Sequence, residues 1–148
     1  MIITSSSFDD GAAIPKKFTC EGGDMNPELL FQYVPPQAKS LALIIHDPDA
    51  PAEGGWTHWT VWNIDPRISS IKEESVPPGG IEGTTSADTV GYHGPCPPPG
   101  VPHHYHFHLY ALDALLDLPE GADVSALRDG IATHMIAEAD LVGMYGTA

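Results

Sequence analysis

Fifteen glycines and fifteen prolines are scattered along the whole length of the chain. Proline removes a backbone donor and clashes with the preceding turn, and glycine frees the backbone, so the chain is cut into short segments with little room for long helices. Several segments read as strands. LALIIH at 41–46 is a continuous apolar run, THWTVWNI at 57–64 mixes aromatic and β-branched residues, and HYHFHLYAL at 104–112 is rich in aromatics. Residues 2–7, 29–34 and 139–145 carry weaker strand patterns. Only one stretch has helical periodicity: Val124, Leu127, Ile131 and Met135 fall on one face, with Asp123 or Ser125 as the N-cap. Short strands, one late helix and many turns predict an all-β fold with minor α, a β-sandwich with long connections rather than alternating βαβ units.

A length of 148 residues suits one domain, 1–148, able to bury a core of its own. Twenty acidic residues against six Lys and Arg give a formal charge of −14, which repels phosphate backbones and anionic membranes and excludes nucleic acid as a partner. No apolar run approaches the length of about 18 residues that a membrane-spanning helix needs. The opening MIITSSSFDD lacks the cationic start and apolar stretch of a secretory signal, so a cytoplasmic protein is expected. Cys20 and Cys96 have no CxxC spacing. Both lie in loop-like segments where pairing is open to them, but two reduced thiols in a reducing compartment are the expectation.

Two connections carry more chemistry than a solvated linker needs. HDPDAPAEGG at 46–55 and GYHGPCPPPGVPHH at 91–104 combine proline turns with ionisable and aromatic side chains, and proline stiffens such loops. Asp47 and Asp49 flank Pro48 directly after a buried strand, placing carboxylate at a sheet end, where binding groups concentrate; the competing reading is that they cap a turn with their own backbone. In WTHW, alternation puts Trp56 with His58 on one face and Thr57 with Trp59 on the other, which makes His58 either a pocket wall or a satisfied core histidine. In HHYHFH, His103, Tyr105 and Phe107 share one face, and His104, His106 and His108 the other.

Three histidines on one face raise a metal site, but i, i+2, i+4 spacing on a strand spreads them over about 13 Å, too far for one ion. Two of them can share a metal only if a carboxylate comes from elsewhere, and no metal ligand set is assigned. GxSxG, HExxH and phosphate-cradling glycine loops are all missing from the sequence, which disfavours catalysis.

Taken in order, DPDAP at 47–51, GGWTHWTVWNI at 54–64, GYHGPCPPPG at 91–100 and HHYHFHLYALD at 103–113 resemble the signatures of the phosphatidylethanolamine-binding protein family, in its bacterial and archaeal Raf-kinase-inhibitor-like branch. IPKKFTCEGGDMNPEL at 14–29 and AEADLVGMYG at 137–146 extend the likeness over essentially the whole chain. The resemblance implies a Greek-key β-sandwich and a ligand-binding pocket made by Asp47, Asp49, Trp56, His58, Pro97, Pro98, His103 and Tyr105. It also implies that the C-terminal helix closing the pocket in mammalian members is missing here. His104 stands where the family's H-R-Y motif carries Arg, exchanging a permanent charge for one that titrates near neutrality.

The function expected on this basis is binding of a small anionic or zwitterionic ligand, phosphate or phosphoethanolamine-like, without a cofactor and without turnover. His58, His103 and Tyr105 are expected to donate hydrogen bonds to the anion while Asp47 or Asp49 orients an imidazole or receives an ammonium. A kinase or protease as protein partner and a homodimer are further expectations. The alternative is a hydrolase using the pocket histidines, with or without a metal on the histidine-rich strand.

Overall fold

The structure, a computed structural model, describes residues 1–147. Among the described residues, eight strands form two antiparallel sheets. Strands β1 (Ile2–Thr4), β2 (Leu29–Gln32) and β5 (Ser70–Ile71) make the smaller one, in the order β1-β2-β5. Strands β3 (Ser40–Asp47), β4 (Trp56–Ile64), β6 (Ile81–Glu82), β7 (His103–Leu112) and β8 (Met135–Tyr145) make the larger, in the order β6-β4-β3-β7-β8. A single helix, α1 (Val124–His134), precedes the last strand, and a short 3-10 turn spans Lys16–Phe18.

The expected β-sandwich is the observed architecture. Ile3, Leu29, Phe31 and Ile71 of the small sheet pack against Leu41, Leu43, Ile45, Trp59, Val61, Tyr105, Phe107 and Leu109 of the large one in one buried cluster. The opposite face of the large sheet is half covered by α1, where Leu127 and Ile131 meet Ala42, Ile44, Trp62 and Leu112. That explains why 41–46 reads as an unbroken apolar run: β3 is central and covered on both faces. Asp123 caps α1, its carboxylate accepting from the Ala126 N–H at 2.8 Å, as one of the two expected caps.

Strands β5 and β6, two residues each, were not expected from sequence, because two residues carry no periodicity. The pairing of β3 with β4 slips by one residue between Ile45 and His46. Such an irregularity bends the strand end and re-aims the side chains beyond it. The far edge of β8 is sealed near its end by residues 10–14. The Gly11 N–H donates to the Val142 carbonyl (2.7 Å), Ile14 N–H to the Met144 carbonyl (2.8 Å), and Met144 N–H to the Ala12 carbonyl (2.9 Å). The Asp10 carboxylate accepts from the Val142 N–H at 2.8 Å.

The cysteines correct the expectation of free thiols: Cys20 and Cys96 form a disulfide. It ties the 3-10 turn region to the proline-rich loop before β7, and neighbouring bonds hold the same junction. The Cys20 N–H donates to the Pro95 carbonyl (3.1 Å), the Gly94 N–H to Asp24 Oδ1 (2.8 Å) and the Tyr92 hydroxyl to the Phe18 carbonyl (2.7 Å). Gly94 is needed there, since a Cβ would stand 2.5 Å from both the Phe18 carbonyl oxygen and the Asp24 carboxylate.

Candidate ligand-binding site

Because β4 and β7 both run antiparallel to β3, the end of β3 lies beside the starts of both neighbours. Asp47 is paired with Trp56, and His46 with His106, which brings His103 and Tyr105 to the same sheet end. The loop between β3 and β4 turns back tightly at Gly55, where φ is +80° and a Cβ would stand 2.4 Å from the Asp47 carbonyl oxygen.

A cavity of about 320 Å³ opens at this corner. Asp47, Trp56, His58, His103 and Tyr105 line it, with Pro97 and Pro98 from the disulfide-anchored loop. The volume lies at the small end of ligand pockets, and its walls are mainly apolar with a few convergent polar groups. His93 and Gly94 also line it, as do Ala50, Pro51 and Ala52. These were not assigned from sequence, although all lie within the two motif-bearing loops.

Hydrogen bonds fix the polar groups. The Asp47 carboxylate is buried; its Oδ2 accepts from His103 Nδ1 at 2.7 Å and its Oδ1 from the Asp49 N–H at 2.8 Å. Asp47 thus both faces the cavity and caps the turn, so the two sequence readings of this residue hold together. His58 Nδ1 lies 2.7 Å from the His93 carbonyl oxygen, and the His93 N–H donates back to the His58 carbonyl at 2.9 Å. A carbonyl only accepts, so the proton sits on His58 Nδ1; the ionised Asp47 sets the same tautomer on His103. In their neutral forms both rings therefore keep Nε2 as an acceptor, not the donor expected from sequence, and Nε2 donates only after protonation. The ring of His58 meets Tyr105 edge-on at 5.2 Å between centroids, and His103 stacks near it at 6.4 Å.

Residues 4–146 match the family model described as phosphatidylethanolamine-binding protein. The chain belongs to the phosphatidylethanolamine-binding protein family. It is similar to a UPF0098 protein of Methanothermobacter thermautotrophicus, 43% identical over 150 residues with 98% of each chain covered. It is also similar to LppC of Mycobacterium tuberculosis, named as a candidate lipoprotein, 40% identical with 98% of this chain and 72% of that one covered. Among solved structures, the phosphatidylethanolamine-binding protein homologue CT736 of Chlamydia trachomatis superposes with a TM-score of 0.94 at 40% identity, covering 99% of this chain and 97% of its own. E. coli YbcL, described as a member of the mammalian PEBP family, gives 0.93 at 29% identity, covering 99% and 98%.

One expected site residue of this family member lies elsewhere. Asp49 does not line the cavity: its Oδ2 accepts from both the backbone N–H and Nδ1 of His104, each at 2.8 Å or less, on the outside of the sheet. The turn capped by Asp47 swings it away. The His104 hydrogen bonds hold the Asp49 carboxyl below its ordinary value. The residue that replaces the family's arginine is thus committed to Asp49 and is not part of the cavity lining.

For Tyr105, burial first and the Asp47 carboxylate second push the phenol well above its ordinary value, so its hydroxyl remains a donor at any physiological pH. Burial is also the main cause that lowers His58, partly offset by its bond to the His93 carbonyl. The unfolded chain therefore takes up this proton first as pH falls. The stability contributed by the neutral ring is complete above about pH 6.5 and is lost as pH drops through the folded value. In urea titrations, His58→Gln should lose less stability than wild type between about pH 7.5 and about pH 5. Equal losses in both proteins would contradict this assignment.

No helix among the described residues is long and apolar enough to cross a membrane. The disulfide weighs against the cytoplasmic expectation, since such bonds persist in oxidising compartments.

Proposed function

We propose that this family member binds, without turning it over, a small phosphate-bearing ligand of the phosphoethanolamine type in the cavity at the end of β3. The observation that carries the reading is the Asp47-oriented imidazole of His103 beside the always-protonated hydroxyl of Tyr105, inside apolar walls. Tyr105 supplies one donor to a phosphate oxygen. The histidine tautomers then require a proton to enter with the anion, either on the phosphate or on Nε2. A phosphate monoester near neutrality brings its own proton and hands it to, or shares it with, a waiting Nε2 lone pair.

With net contributions of about 0.5–1.5 kcal/mol per neutral hydrogen bond, affinity near neutrality is expected in the millimolar range. Sulfate carries no proton of its own at these pH values, so it separates the proton on the ligand from the proton on the protein. Its binding should tighten as the pH falls from about 7.5 to about 5 and the contacts become charge-assisted. Isothermal or NMR titration with sulfate across that range tests the reading, and an affinity that stays flat would refute it.

A hydrolase is the second reading, favoured by one observation: an Asp-bound imidazole with a free Nε2 is the arrangement of a general base. Phosphorus NMR of phosphoethanolamine left with the protein distinguishes the two, because binding alone shifts the signal whereas hydrolysis replaces it with that of inorganic phosphate.

A further inference from the structure

The outward face of β7 carries histidines that the cavity does not use. His106 and His108 stack at 5.3 Å between ring centroids with their planes 16° apart. Across the β7–β8 ladder, where His108 is paired with Asp140, a single carboxylate serves both rings: His106 Nδ1 lies 3.0 Å from Asp140 Oδ2 and His108 Nδ1 3.1 Å from Asp140 Oδ1. One nitrogen from each ring and one carboxylate oxygen all lie within 4.8 Å of one another. On a strand alone, the histidines are spread too far for three to share an ion. The register with β8 supplies the missing carboxylate to two of them.

We propose that His106, His108 and Asp140 form a binding site for a first-row divalent transition ion of the zinc class, holding it by two imidazole nitrogens and one carboxylate with the remaining position open to water. Zinc accepts this ligand set, with nitrogen and oxygen ligands at about 2.0–2.1 Å, which in a tetrahedron sets neighbouring ligand atoms roughly 3.3 Å apart. The two nitrogen–oxygen separations already lie close to that edge. As the ion takes the place of the proton at Nδ1, each neutral ring carries its single proton on Nε2 instead. A surface depression of about 400 Å³ lined by His108, Tyr110, Glu138 and Asp140 gives the ion and its water a way in. His46 faces His106 across the β3–β7 ladder but falls outside this set, so the ligand set is three residues.

The site lies on the opposite face of the sheet from the core residues Tyr105 and Phe107, so it stands or falls independently of the ligand cavity. The test is calorimetric titration of untagged protein with zinc chloride in a non-chelating buffer near neutral pH. One ion per chain is expected. His108→Gln should weaken it about 100-fold or more, since even removing a partner behind a ligand commonly costs 10–100-fold. Asp140→Asn, which keeps the side-chain shape, should weaken it similarly. His134→Gln, which removes a surface histidine paired with a single carboxylate, Asp113, should change nothing. Nitrogen-15 correlation spectra establish that each variant is folded. The proposal is overturned by absence of zinc binding to wild type, or by binding that survives both site substitutions unchanged.

Discussion

Replacing Cys20 and Cys96 together by serine should lower stability by about 3–5 kcal/mol. The two cysteines are separated by 76 positions, so the bond closes a long loop, and the chain-entropy account gives a large penalty when such a loop is released in the unfolded state. For a domain of this size that corresponds to a fall in Tm on the order of 10 °C. Urea denaturation of the double variant, beside wild type with and without reductant, checks it, and a loss below about 1 kcal/mol would contradict the account. Ligand affinity should suffer much less. The loop that brings Pro97 and Pro98 to the cavity keeps its bonds from Gly94 to Asp24 and from Tyr92 to Phe18, and the Pro97 carbonyl still accepts from the Thr147 hydroxyl at 3.0 Å.

The second large effect belongs to His103. His103→Gln removes the one cavity imidazole whose Nδ1 is held by a carboxylate, and with it the charge-assisted contact to a bound phosphate. Such bonds contribute about 1.5–3 kcal/mol, so phosphoethanolamine binding should weaken roughly 10–100-fold. His104→Gln is the matched control, being the adjacent histidine but committed to Asp49 outside the cavity. Titration of both variants by NMR, following the amides of residues 47–55, checks the prediction. Equal affinities would mean that the imidazole does not touch the ligand.

These two residues also show what the sequence holds and what it withholds. Alternation along residues 103–108 separates the faces of β7 correctly, because a strand covered on one side by a core has only one register that buries Tyr105 and Phe107. It therefore places His103 near the cavity and His104 away from it. The fate of Asp49 was not legible. Two carboxylates around one proline look equivalent in sequence, and only the turn capped by Asp47 decides which remains inside. The tautomers of His58 and His103 were likewise hidden, since each is set by a partner from another segment: the His93 carbonyl in one case, Asp47 in the other. The Cys20–Cys96 pair and the Asp140 bridge to His106 and His108 share the same cause. Each depends on which distant segments the sheet brings together, and local pattern carries none of that. The two-residue strands escape notice for a simpler reason, since a single repeat of a two-residue pattern cannot be told from chance.

The seal on the outer edge of β8 has a consequence for how the protein is made. Residues 10–14 are synthesised well before their partners at 142–144, with Asp10 and Val142 separated by 132 positions. At about 5–20 residues per second, the leading segment waits roughly 7–26 s for the strand it covers. Until residues 142–144 emerge the large sheet ends in an unpaired edge, the kind that pairs readily with another chain. Closure of this fold is thus timed by the arrival of β8, and crowding on the same message is where misassembly should first be seen.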